Sequence, residues 1–268
     1  MSDRTQARIV HLSDLHIRSD LCKANDFDDS LDQAGLRTHN LVAYINNNHP
    51  DAHVVITGDI TDSGTSTSLR VAKGLLGQWL DPRRLSVVLG NHDCGSYGNY
   101  YLPERVREFK RTFNKTVDGG LRFPWIKFQQ PLAILGLDST AGANETALAR
   151  GRLGDEQIDW LAARVAQLPP VWIPVVLLHH NPFDSDLSTS LVDAERFRRC
   201  VSRHLHGRPS VVLFGHKHSS SIHPRAGATY LQAPSSVSVD RNRLRFRVLT
   251  IGYAGVKASW DGCRVPRT

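Results

Sequence analysis

Cysteine is sparse in this chain: Cys22, Cys94, Cys200 and Cys263 are scattered through 268 residues, and no two form a C-x-x-C pair. That excludes a zinc ribbon and a disulfide framework, and reduced thiols in a cytoplasm are the expectation. No apolar run approaches the roughly 18 residues of a membrane span, so no association through a transmembrane helix is predicted. The opening Met1-Ser2-Asp3-Arg4-Thr5-Gln6 leads at once into strand-like sequence without an apolar leader. A cytoplasmic location is the corresponding expectation. Neither a G-x-S-x-G elbow nor a G-x-x-x-x-G-K-[ST] loop is present, which argues against serine-hydrolase and P-loop chemistry. Internal repeats and low-complexity tracts are missing as well.

What the chain does have is enough apolar sequence, 40% of residues, to bury a substantial core, and residues 1–268 read as a single domain. The formal net charge is +7. Much of the excess lies in Arg196, Arg198, Arg199, Arg203 and Arg208, and in Arg241, Arg243, Arg245 and Arg247. The second set has period two, with Leu244, Phe246 and Val248 between its members, and is expected to be a strand with a basic outer face. Such a face is either solvated or steers an anionic partner, nucleic acid included.

Apolar runs at Arg8–Leu12, His53–Thr57, Leu85–Leu89, Leu132–Leu137, Ile173–Leu178, Val211–Phe214, Tyr230–Gln232 and Phe246–Ile251 predict strands. Helical periodicity separates them. Its apolar faces carry Leu41, Val42, Tyr44 and Ile45; Leu69, Ala72, Leu76 and Trp79; Val106, Phe109 and Phe113; Ile158, Leu161, Ala162, Val165 and Leu168; and Phe197, Cys200, Val201 and Leu205. Asp155 is the expected N-cap of the fourth helix. This alternation predicts an α/β layered fold, with the strands from Val211 onward forming a second, more antiparallel sheet. Arg18 to Gly35, with Asp20, Asp26, Asp28, Asp29 and Asp32, is expected to be a loop, either solvated or overhanging a site.

Five of the apolar runs end in polar clusters: Asp14-Leu15-His16, Gly58-Asp59-Ile60-Thr61-Asp62, Gly90-Asn91-His92-Asp93, His179-His180, and Gly215-His216-Lys217-His218. A buried strand that delivers imidazoles and carboxylates at its end is costly unless those groups meet a ligand. Two aspartates, an asparagine and histidines without thiolate form a mixed N/O donor set, suited to ions such as Mn, Fe or Zn. Asp14 and His16 are two residues apart on extended chain and point the same way, as do His216 and His218. Asp59 can bridge two ions because a carboxylate offers two oxygens. Lone strand histidines such as His11 and His53 are expected to be satisfied or exposed residues and not ligands.

In this order the motifs D-x-H, G-D-x-x-D, G-N-H-D, H-H and G-H-x-H resemble the calcineurin-like metallophosphoesterases, over roughly residues 8 to 220. The resemblance implies a four-layer α-β-β-α sandwich of two mixed sheets with the site at the strand C-terminal ends. It also implies one ion held by Asp14, His16, Asp59 and His218 and a second held by Asp59, Asn91, His179 and His216. The first histidine of H-H is the ligand in relatives, which favours His179 over His180. Hydrolysis of a phosphodiester by metal-bound hydroxide follows, with His92 as the group that contacts phosphate or protonates the leaving oxygen. Asp62 matches the carboxylate that orients this histidine, with Asp93 as its competitor. The chain looks similar to bacterial cyclic-nucleotide and glycerophosphodiester phosphodiesterases, so a small phosphodiester is the expected substrate. The alternatives are a phosphomonoesterase or nucleotidase, a nuclease exploiting the basic strand, and a non-catalytic metal-binding scaffold. The oligomeric state is left open.

Overall fold

The computed structural model describes residues 6–18, 33–81, 83–95, 101–113, 122–140 and 149–265. The five expected loop aspartates and Cys22 lie outside these residues. In chain order the described elements are β1 (Gln6–Leu12), α1 (Gln33–Asn48), β2 (His53–Thr57), α2 (Ser66–Leu75), β3 (Leu85–Val88), α3 (Pro103–Phe113), β4 (Trp125–Gln129) and β5 (Leu132–Gly136). They continue as α4 (Asp155–Gln167), β6 (Ile173–Leu177), α5 (Ala194–His204), β7 (Val211–Phe214), β8 (Ser221–Arg225), β9 (Ala228–Gln232), β10 (Val239–Asp240), β11 (Arg243–Gly252) and β12 (Gly255–Arg264).

The strands build two mixed six-stranded sheets. In the first, β1, β2 and β3 run parallel, and β11 joins β1 antiparallel. In the second, β5, β6, β7 and β9 run parallel, with β4 and β8 antiparallel at the two edges. Alternation along each strand then decides the layering. Val54 and Ile56 of β2 pack with Leu41 and Ile45 of α1, Leu69 of α2 and Phe109 of α3. Val55, between them, packs instead with Leu132, Val175 and Leu213 of the second sheet. The far face of that sheet, with Val176, Val212 and Tyr230, packs against Ile158 and Leu161 of α4 and Phe197 of α5. Helices therefore cover the outer face of each sheet, and the strands' continuous apolar runs reflect burial on both sides.

Three expectations change. The strands after Val211 do not form a sheet of their own: β7 to β9 extend the second sheet, while β11 and β12 complete the first. The four arginines do not form a basic outer face. Arg241 lies in the turn before β11, and Arg245 pairs with Asp240. Arg247 is buried, on the face that Leu249 and Ile251 turn to the other sheet. Its Nε donates to the Gln232 carbonyl at 3.0 Å and NH2 donates to Ser220 Oγ at 2.7 Å. Period two identified the strand but not which face was inside. Finally, Asp155 is the first residue of α4 and not its cap. The free N–H groups of Leu153 and Gly154 are taken by the carboxylate of Asp193, from another part of the chain. Among the described residues no helix is long and apolar enough to cross a membrane.

Candidate metal centre

The parallel strands β1, β2, β3, β6 and β7 deliver the five polar clusters to one place. The turn that follows each strand is tight. Asp14, His16, Asp59, His216 and His218 all have positive φ, between 45° and 73°, a conformation that costs a non-glycine residue about 1–3 kcal/mol. Five such residues at one site point to geometry retained for ligand placement. The glycines fit the same close packing. A Cβ on Gly58 would sit 2.5 Å from His179 Nδ1, and one on Gly90 would sit 2.1 Å from Asp59 Oδ1.

His179, wholly buried, shows how the donors are oriented. Its Nδ1–H donates to the Thr57 carbonyl at 2.7 Å. The other ring nitrogen, Nε2, then faces Asp59 Oδ2 at 3.2 Å, Asn91 Oδ1 at 3.0 Å and His216 Nδ1 at 3.2 Å. Four electron-pair donors facing one another call for a positive charge in their midst. Nearby, His16 Nε2 and His218 Nε2 are 2.9 Å apart, and His218 Nε2 lies 3.4 Å from Asp14 Oδ1. Asp59 Oδ2 is also 3.8 Å from His16 Nε2, so one carboxylate faces both groups of donors.

The donors fit a transition ion. Ligands about 2.0–2.1 Å from an ion lie roughly 2.8–3.4 Å from each other at octahedral or tetrahedral angles. The contacts around His179 and His218 run from 2.9 to 3.4 Å, while His16 Nε2 stands wider, 3.9 Å from Asp14 Oδ1 and 3.8 Å from Asp59 Oδ2. Asp14 Oδ1 is buried and accepts no hydrogen bond, as expected of an oxygen reserved for a cation. His16, Asp14 and His218 form one possible ion-binding group, Asp59, His179 and His216 another, and His16, Asp59 and His92 a third.

The electrostatics agree. Burial would raise the Asp14 and Asp59 carboxyls, but bonds and charges from His218, His179 and His16 hold both below the ordinary carboxylate range. Burial opposes a charge on His179 too, yet the Asp59 carboxylate pulls its pKa up to about 9. Burial and the His179 charge push His216 down to about 4. The centre thus keeps its carboxylates ionised by placing positive charge among them.

His180 takes no part in this convergence. Ser139 Oγ donates to its Nδ1 at 2.8 Å, and its ring packs so closely on Gly151 that a Cβ there would lie 2.3 Å away. His92 lies beside the cluster, its ring 4.6 Å from that of His16. Its backbone N–H donates to Asp59 Oδ1 at 2.9 Å, and its Nδ1–H donates to the backbone carbonyl of Asp62 at 2.9 Å. The Asp62 carboxylate is farther from that nitrogen, at 3.7 Å. Asp93 is a turn staple: it accepts from the N–H groups of Ile60, Thr61 and Gly90.

His11 and His53 lie outside the centre, and each bonds a neighbouring hydroxyl, of Thr57 and Ser86 respectively. Ser139 and Lys217 were missed by the sequence reading. Ser139 follows β5, and the strand-end rule that found the other clusters also applies to Leu137-Asp138-Ser139. Lys217, between His216 and His218, donates to Thr189 Oγ1 at 2.8 Å and pairs with Asp184 at 3.2 Å. It thereby ties the loop after β6 to the histidine turn.

The model of the calcineurin-like phosphoesterase family matches residues 7–220. A cAMP/cGMP dual specificity phosphodiesterase from Mycobacterium tuberculosis is 27% identical over 243 residues, covering 86% of this chain and 66% of the relative. A probable glycerophosphodiester phosphodiesterase from Arcobacter nitrofigilis is 28% identical over 184 residues, covering 65% of this chain and 57% of the relative. The chain thus spans just under two thirds of the first relative and little more than half of the second. Among solved structures, a dimetal phosphatase from Danio rerio superposes with a TM-score of 0.67 at 14% identity, covering 94% of this chain and 98% of that one. The last similarity is one of fold.

Proposed function

The chain belongs to the calcineurin-like phosphoesterase family, and we propose that it hydrolyses a small phosphodiester, of nucleotide or glycerophosphodiester type, with two transition ions at the described centre. The observation that carries this reading is that Asp59 Oδ2 faces His179 of one donor group at 3.2 Å and His16 of the other at 3.8 Å, in an N/O set of the kind that Mn, Fe or Zn takes. Asp14, His16, Asp59 and His218 would hold one ion, and Asp59, Asn91, His179 and His216 the other. Ions bound there would acidify a water and neutralise charge on the phosphoryl oxygens.

The remaining chemistry falls to the chain's own groups. With Nδ1–H fixed on the Asp62 carbonyl, His92 is left with Nε2 to meet the substrate. A protonated imidazole placed there can give a proton to the departing oxygen. The names of the two relatives support a diester over a monoester. The nuclease alternative loses its motif, because Arg247 is buried and Arg245 is paired.

A panel of substrates tests the reading on Mn-loaded protein: bis-p-nitrophenyl phosphate, p-nitrophenyl phosphate, cyclic AMP, a glycerophosphodiester and single-stranded DNA. Turnover of the small diesters above the monoester supports it. Faster turnover of the monoester or of DNA moves the chain to the phosphomonoesterase or nuclease alternatives. A blank panel leaves the non-catalytic scaffold.

A further inference from the structure

Asp62 stands between two imidazoles and offers each a different oxygen. To His92 it gives its backbone carbonyl, at 2.9 Å from Nδ1, with the carboxylate 3.7 Å away. To His16 it gives the carboxylate: Oδ1 lies 3.4 Å from Nδ1. That nitrogen is buried and has no hydrogen-bond partner, so the Asp62 carboxylate is the acceptor within reach of it. The second carboxylate oxygen lies 3.0 Å from Arg18 Nε.

The backbone builds this arrangement. His16 N–H donates to the Asp59 carbonyl at 2.9 Å, Ile17 N–H to that of Ile60 at 3.0 Å, and Asp62 N–H to that of Ile17 at 3.2 Å. A short parallel bridge between Ile17 and Thr61 results, and it sets His16 and Arg18 on either side of the Asp62 side chain. His16 can then direct its Nδ1–H to Asp62 while Nε2 faces Asp14, Asp59 and His218. A carboxylate on the far nitrogen of a metal-ligating histidine fixes its tautomer and raises its basicity.

We propose that Asp62 acts through its carboxylate as a positioning residue for the ligand His16 and not for His92, with Arg18 holding that carboxylate in place. The inference rests on the metal-dependent reading above. It departs from the role expected of Asp62 from sequence, since the group that orients His92 is a carbonyl that no side-chain substitution removes. An Arg18–Asp62 pair that did nothing else would contribute little, because Arg18 is 56% exposed.

The test is Mn binding by equilibrium dialysis to wild type, Asp62→Asn and Arg18→Gln, with nitrogen-15 imidazole spectra of the metal-free proteins. Asp62→Asn is expected to weaken one Mn equivalent by about 10–100-fold. It should also shift His16 from the Nδ1–H tautomer towards a mixture, and Arg18→Gln should show a smaller change in the same direction. At saturating Mn the Asp62→Asn ratio of rates on p-nitrophenyl and alkyl diesters should match wild type. Unchanged Mn affinity with a selective loss on alkyl diesters would overturn the proposal in favour of action through His92. No change in either would reduce the pair to a surface contact. A wild type that binds no Mn would sink the functional reading instead, and the tautomer, which needs neither ion nor turnover, would then decide the positioning claim. Should Asp62→Asn fail to fold, Asp62→Glu and Arg18→Gln carry the same readouts.

Discussion

The imidazole of His179 gives its Nδ1–H to the carbonyl of Thr57 at 2.7 Å, and that one bond turns its other nitrogen towards Asp59, Asn91 and His216. The adjacent His180 has Nδ1 accepting from Ser139 and its ring packed against Gly151 and the ring of His216. His179→Ala is therefore expected to abolish one Mn equivalent, while His180→Ala should keep both and lose only stability. Elemental analysis of the purified variants checks this. Loss of an ion from His180→Ala, with none from His179→Ala, would mean the register at the end of β6 is wrong by one.

His92 separates catalysis from ion binding. His92→Ala should retain both ions and near-native stability yet lose turnover by about 10²–10⁴-fold, the usual worth of general acid–base catalysis. The loss should be smaller on p-nitrophenyl esters, whose leaving group needs little protonation, than on alkyl or ribose diesters. Equal losses on both would show that His92 binds phosphate without delivering a proton. Release of metal would make it part of the ion site.

Arg247 should matter to the fold. Its replacement by Met leaves the buried Gln232 carbonyl without a donor that now lies at 3.0 Å, and also removes the stacking on Trp260. An unsatisfied buried group costs about 1–3 kcal/mol, against at most about 0.5 kcal/mol for a solvated surface arginine. Urea unfolding distinguishes the two. A change within the surface range would restore the basic outer face expected from sequence.

His53 gives the fold an acid sensitivity of known sign. Burial holds its pKa down at about 4, while its ordinary value is 6.5. Below pH 6.5 the unfolded chain takes up a proton that the folded chain refuses, so stability falls as pH drops from 6.5 towards 4. Between pH 7 and 5 the loss from this one group is about 2 kcal/mol. The stability of His53→Gln, followed by urea unfolding, should decline less than wild type over that interval by about this amount. Parallel slopes would contradict it.

The site was more legible in the sequence than the sheets that carry it. Each polar cluster followed an apolar run, and the strand ends that expose Asp14, Asp59, Asn91, His179 and His216 are local features. The choice of sheet for β11 is decided by pairing with β1, nearly the whole chain away, and β12 follows by pairing with β11; no local pattern encodes the first step. The short edge strands β4 and β8 were missed because Lys127, Gln129, His223 and Pro224 break up their apolar patterns. Asp62 was recognised as part of the site, but which imidazole its carboxylate serves depends on the bridge between Ile17 and Thr61, a long-range contact.

On the proposed function, Asp59 is shared by two ions. Mn titration of metal-free wild type and Asp59→Asn, read by elemental analysis and by dialysis, addresses it directly. Wild type should take up two equivalents, and Asp59→Asn should lose its hold on both, because the substitution removes one negative charge that faces both donor groups. A wild type that saturates at a single equivalent, or an Asp59→Asn variant that keeps one ion at native affinity, would contradict the shared carboxylate.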